Sequence, residues 1–179
     1  LVLLALNQDT QAPLDTHSVC VFLRDHLIVS CHHGNVRGLE TMKRRMTSER
    51  LLGLSSDRLV HAMVDTLVDE VMPLLDRYEL ELDDLENRAS RDDSQDFVDR
   101  LFHIRRDLLH IRRISGPVQE VIRRFADSER GDVSADCKLL FRDVLDHVLV
   151  LQDLVNVRLE ICNGIIQTHT HASNERLNK

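Results

Sequence analysis

The chain has 179 residues, 42% of them apolar and 3% aromatic, with a formal net charge of −7. That length supports one domain, with at most a separate helical extension. The acidic balance argues against a nucleic-acid binder, whose phosphate contacts need an excess of Lys and Arg, and makes cations the natural partners.

With no tryptophan and a single tyrosine, Tyr78, the core is expected to be helix packing by Leu, Val, Ile and Met. Cys20, Cys31, Cys137 and Cys162 lie far apart with no CxxC pair, which reads as a reducing compartment. The opening run Leu1 to Leu6 is short and lacks the basic flank of a signal peptide. No run of about 18 apolar residues is present, so no membrane span is predicted. The first residue is not Met and lies inside an apolar run, so we expect a piece of something longer.

Residues 1–6 and 19–31 are predicted strands. Val19 to Leu23 and Leu27 to Cys31 flank Arg24-Asp25-His26, a short hairpin connection. A polar loop containing Pro13 is expected from Asn7 to Thr16, and a short basic helix from Val36 to Met46. Together these look like the end of a mixed sheet. The cluster Cys31-His32-His33, with His17, Cys20 and His26 nearby, has no CxxC or HxxxH spacing. Strand alternation also puts Cys31 and His32 on opposite faces, so these read as strand and loop residues rather than a zinc site.

From Ser56 the character becomes helical. Ser55-Ser56-Asp57 is a capping sequence for a helix expected to reach about Ala89. After a polar turn a second helix is expected from Gln95 to Ala126, kinked at Gly116-Pro117. The third runs from Ser134 to the end, about 65–70 Å of helix, a stalk rather than a core element. Between Asp57 and Asp93 twelve acids stand against four arginines, and between Arg100 and Arg124 seven arginines stand against Asp107 and Glu120. An acidic helix folded beside a basic one forms a hairpin. Exposed pairs contribute only about 0–1 kcal/mol each, so the pattern selects pairing more than it stabilises. Asp65, Asp69, Asp76, Glu79, Asp83 and Glu86 form a stripe on the first helix, by default a solvated face.

Phe141-Arg142-Asp143-Val144-Leu145-Asp146-His147 places two carboxylates and an imidazole on one side of the stalk. His169 and His171, two apart, read as stalk surface or pore lining, and Cys137 and Cys162 as packing residues. No nucleophile–base pair or phosphate loop stands out, and no enzyme activity is expected.

Taken in order, five segments resemble the cytoplasmic part of the CorA family of divalent-cation transporters, which includes the zinc-transporting ZntB branch. Leu59-Val60-His61-Ala62-Met63-Val64-Asp65-Thr66-Leu67-Val68-Asp69 is similar to the opening of the family's acidic helix, and Leu82-Asp83-Asp84-Leu85-Glu86 to its distal part. Ile104 to Arg113 with Pro117 and Val121-Ile122 is similar to the returning helix. Phe141 to His147 resembles the FRDVxDH motif, and Ser173 to Lys179 the sequence before the first transmembrane helix. Coverage is strongest over residues 57–179.

The resemblance implies an α+β fold: a partial α/β/α sheet over residues 1–55, an antiparallel helical hairpin over 56–127 and a stalk helix over 133–179. It implies a homopentameric magnesium, cobalt or nickel transporter of a prokaryotic inner membrane, this piece on the cytoplasmic side and joined to the membrane by helices beyond Lys179. The family's Gly-Met-Asn signature is absent here and would follow the first of those helices. The regulatory cation, Mg2+ with Co2+, Ni2+ or Zn2+ as alternatives, would lie between subunits on Asp65 and Asp143. Asp69 and Asp146 beside them read as helix-face or intersubunit salt-bridge residues. His147 reads as a neighbour, since magnesium prefers oxygen, although zinc or nickel would accept it. Two other readings remain: zinc transport in the same family, and a helical scaffold or dimerisation module without metal.

Overall fold

Alternating burial identifies the strands. In β2 (Asp15–Arg24) Val19 and Val21 point into the core while Ser18 and Phe22 point out, the period-two signature of a sheet covered on one face. It pairs antiparallel with β1 (Val2–Asn7) on one side and β3 (Leu27–His32) on the other, giving the order β1-β2-β3. The computed structural model describes residues 2–7, 14–24, 27–47, 53–92, 94–129 and 133–178. Pro13 and the hairpin residues Asp25 and His26 lie outside them.

Strand β2 begins at Asp15, earlier than expected, because Asp15 to Ser18 find backbone partners in Asn7 to Leu4. Pairing overrides the polarity of that stretch. All three described strands are antiparallel. The mixed character expected of the sheet would need a parallel neighbour, which is not among the described strands.

Helix α1 (Arg37–Thr47) turns Leu39 and Met42 inward and leaves Arg44 and Arg45 exposed. Gly38 lets it approach α2 (Ser56–Asp69) closely: a Cβ there would sit 2.7 Å from Leu67 Cδ2. The Glu70 carboxylate accepts the Gly38 N–H, satisfying a donor in the first turn of α1. On α2, Val60, Met63, Val64, Leu67 and Val68 form the buried stripe at helical spacing.

The first long helix is not continuous to Ala89. It stops at Asp69, turns through Glu70 and Val71, and restarts as α3 (Met72–Arg88). Pro73 supplies the reason: it has no N–H to return to the Asp69 carbonyl, and its ring would crowd that carbonyl. Val71 N–H bonds instead to Val68 O at 3.0 Å, a tighter turn. Helix α4 (Gln95–Ala126) stays helical through Gly116 and Pro117, and α5 (Ala135–Leu177) holds 43 residues.

Contacts divide the chain into two compact units, Leu1–Met72 with Ile114–Leu151, and Pro73–Arg113 with Gln152–Lys179. In the first, Ala5, Val19 and Val21 of the sheet meet α1 and α2, Ile122 and Ala126 of α4, and Cys137, Phe141, Val144 and Val148 of α5. His61 stands edge-on to the Phe141 ring at 5.4 Å, and Phe125 lies 5.0 Å from it.

The second unit is all helix. Phe97, Leu101, Ile104, Leu108 and Ile111 recur on α4 at alternating steps of four and three, a coiled-coil seam. Tyr78, Leu82 and Leu85 of α3 and Val155, Leu159, Cys162 and Ile165 of α5 are buried with them. Two charged side chains, Asp107 and Arg158, lie buried inside this unit among the described residues. Asp107, 2% exposed, accepts the Tyr78 hydroxyl at 2.6 Å, with His103 Nδ1 at 3.4 Å. Arg158, 4% exposed, donates to the carbonyls of Leu75 (3.1 Å) and Leu154 (3.3 Å) and to Glu79 Oε2 (2.5 Å).

Candidate metal centre

Helix α2 carries Asp65 and Asp69 one turn apart, and burial of Phe141, Val144 and Val148 on α5 leaves Asp143, Asp146 and His147 outside its core face. These two helices meet in one cluster. A ligand atom from each of Asp65, Asp69 and His147 lies within 4.8 Å of the other two. Asp65 is half-buried; Asp69 and His147 are exposed.

Burial pushes the Asp65 carboxyl above its ordinary pKa, and the Asp69 charge adds to the effect, while His61, His147 and Arg45 oppose it. A carboxylate held in an unfavourable charged state by desolvation and a like neighbour gains most from an added cation. The donor set is two carboxylates and one imidazole. Magnesium takes one or two carboxylates directly and keeps much of its water. Cobalt, nickel and zinc also accept the imidazole.

Of the four aspartates read from the sequence, the structure brings Asp65 and Asp69 together. Asp143 and Asp146 are exposed one turn and one residue before His147 and stand outside the cluster. His147 belongs to it. Its signal in the sequence is its place as the last residue of the Phe141 to His147 motif.

The rest of the acidic stripe behaves differently. Asp76, Asp83 and Glu86 are exposed, and Glu79 is held by Arg158 rather than by the basic helix α4. Among the described residues, Glu81 and Arg100 form a cross-pair between α3 and α4, with Arg100 Nε donating at 2.5 Å. His169, read from the sequence as stalk surface or pore lining, is half-buried: its ring lies 4.9 Å from Phe97, with Nδ1 3.3 Å from the Ala89 carbonyl. Among the described residues no helix is long and apolar enough to cross a membrane.

The family model described as "CorA-like Mg2+ transporter protein" matches residues 1–179. The chain belongs to the CorA-like Mg2+ transporter family. It is 25% identical over 178 residues to the putative metal ion transporter YfjQ of Bacillus subtilis, covering 99% of this chain and 55% of that protein. It is also 25% identical over 124 residues to the cobalt/magnesium transport protein CorA of Thermotoga maritima, covering 69% of this chain and 35% of that one. The chain thus spans about half or less of the curated relatives it matches. The complete CorA magnesium transporter structure from Methanocaldococcus jannaschii superposes with a TM-score of 0.91 at 13% identity, over 99% of this chain and 56% of that one. The ZntB cytoplasmic domain from Vibrio parahaemolyticus gives 0.82 at 18%, over 98% and 69%. The fold is that of CorA soluble domains.

Proposed function

We propose that this CorA-family chain is the cytoplasmic, cation-sensing part of a homopentameric magnesium and cobalt transporter in a cell inner membrane. The observation that carries the reading is the cluster of Asp65, Asp69 and His147, with Asp143 one turn away on α5, in a chain that matches the family over its whole length. Without a cation, Asp65 and Asp69 repel and Asp65 is poorly solvated. With a divalent cation bound, the repulsion becomes attraction. A neighbouring subunit's Asp143 completes the oxygen shell and ties the subunits together.

Cation would then favour one arrangement of the ring only by its differential affinity for that arrangement. Cytoplasmic magnesium stabilises a closed symmetric ring, and its loss loosens the interfaces. This is feedback on transport, with no chemical step. Calorimetry of magnesium chloride binding to the chain, beside its Asp65→Ala, Asp143→Ala double variant, tests the assignment. Binding lost in the variant is expected; unchanged binding would sink it.

His147 favours a second reading, in which the cargo or regulator is zinc, nickel or cobalt. The same calorimetry with those chlorides distinguishes the two. A His147→Ala variant that keeps magnesium affinity and loses zinc affinity supports the second.

A further inference from the structure

We propose that Cys20 and Cys31 are a modification site, a thiol pair that peroxide oxidises to a disulfide joining β2 to β3. The register of the sheet carries the inference. Cys20 stands directly opposite Cys31, two pairs along from Phe22 opposite Val29. Residues directly opposite in an antiparallel pair share one face, with Cα atoms about 4.5–5.5 Å apart. That spacing falls within the Cα separation of about 4.4–6.8 Å that a disulfide spans.

The face is the outer one. Val19 and Val21 on either side of Cys20 are buried, whereas Phe22 is 63% and Val29 43% exposed. Cys31 is exposed and Cys20 half-exposed, and both are free thiols. Access therefore favours first attack at Cys31, with Cys20 placed to resolve it. The Cys31 thiolate attacks hydrogen peroxide, breaking the O–O bond to give a sulfenic acid and, after proton uptake, water. The Cys20 sulfur displaces the sulfenic oxygen as a second water. Two thiols and one peroxide thus yield one S–S bond and two waters, with two electrons passing from sulfur to oxygen.

Cys137 and Cys162 provide controls within the same chain. Both are buried, and burial pushes their thiols up to about 12 and about 11, so they stay protonated at neutral pH. Strand β3 also lines a cavity of about 390 Å³ with α1 and α2, contributed by Leu27, Ile28 and Ser30. The bridge would staple that wall of the cavity to the central strand.

The test uses the full 179-residue chain, reduced and then exposed to hydrogen peroxide. Titratable thiols in denaturant are expected to fall from four to two. Peptide mapping of the monomer should show Cys20 linked to Cys31, reversed by dithiothreitol. In Cys20→Ser and in Cys31→Ser no intrachain bridge should form. Independent oxidation of the two cysteines to sulfinic acid, a bridge between two chains, or a bridge involving Cys137 or Cys162 would each overturn the proposal. Mapping the unsubstituted chain decides the matter even if a serine variant folds poorly.

Discussion

Asp57 Oδ2 accepts both the backbone N–H (2.9 Å) and the hydroxyl (2.7 Å) of Ser134, 77 residues away, joining the first turn of α2 to the residue that caps α5. The same Ser134 hydroxyl accepts the Cys137 N–H at 3.3 Å, and Asp57 Oδ1 accepts the Arg58 N–H at 2.9 Å. One buried carboxylate thus orders two helix starts at once.

That relationship predicts a steep acid limb. Burial alone would raise the Asp57 pKa, but hydrogen bonds from Ser55, Ser134 and Arg58 outweigh it and hold the carboxyl far below the ordinary aspartate range. With the folded-state value depressed, the stability is fully present above the unfolded pKa of about 3.9 and is lost as pH falls below it. Asp57→Ala should cost about 1.5–3 kcal/mol at pH 7, the range for hydrogen bonds to a charged group. Urea denaturation at pH 7 and pH 3 checks this: the difference between the two proteins should shrink at the lower pH.

Tyr78 predicts the opposite limb. Burial, and then its bond to Asp107, raise the phenol well above its ordinary value. A raised folded-state pKa means stability that is present below the unfolded value of about 10 and is lost as pH rises past it. Tyr78→Phe removes that alkaline loss and also leaves the buried Asp107 without its 2.6 Å donor. The cost at pH 7 should be about 1–3 kcal/mol, measured as a shift in the urea midpoint.

Arg158 occupies a core position of α5 in the series Phe141, Val144, Val148, Leu151, Val155, Arg158, Cys162, Ile165, all buried. Its partner Glu79 is 59% exposed, so an apolar residue at 158 strands no buried charge and relieves the dehydration of a guanidinium. Arg158→Leu should therefore unfold at a temperature no lower than the parent. Arg158→Ala, which adds a void, should lose about 2–4 kcal/mol relative to Arg158→Leu. Calorimetric unfolding of the two variants separates packing from charge.

Asp65 gives a cation-linked prediction. Its raised pKa means the charged form is disfavoured in the fold, so its effect is destabilising above the unfolded carboxylate pKa and absent below it. Asp65→Asn in metal-free buffer should be more stable than the parent at pH 7 by about 0.2–0.5 kcal/mol, the size of a like-charge pair one helical turn apart. Added magnesium or cobalt should raise the thermal midpoint of the parent and leave that of Asp65→Asn in place.

Helix spacing made much of this molecule legible in advance. The buried steps on α2, α4 and α5 are visible as apolar periodicity, and Asp65, Asp69 and the Phe141 to His147 motif sit on the helices expected of them. Three things were missed for separable reasons. The break at Glu70-Val71 follows from Pro73, whose effect reaches back to a carbonyl four residues earlier. Asp107 read as an exception on a basic helix, but it is a buried acceptor whose donor is 29 residues away. His169 read as stalk surface or pore lining because its partners, Phe97 and the Ala89 carbonyl, lie on other elements.

The sequence by itself determined most of the helices and strands, which helix faces are apolar, and the family to which the motifs point. These depend on neighbours within about one turn or one strand pair, an interaction range that periodicity records. Only the tertiary structure decided that Asp57 holds Ser134, that His147 of the same chain joins Asp65 and Asp69, and that Cys20 faces Cys31. Each of those pairings depends on strand register or on which helix packs where. Distant side chains settle both through burial, and no local spacing encodes the outcome.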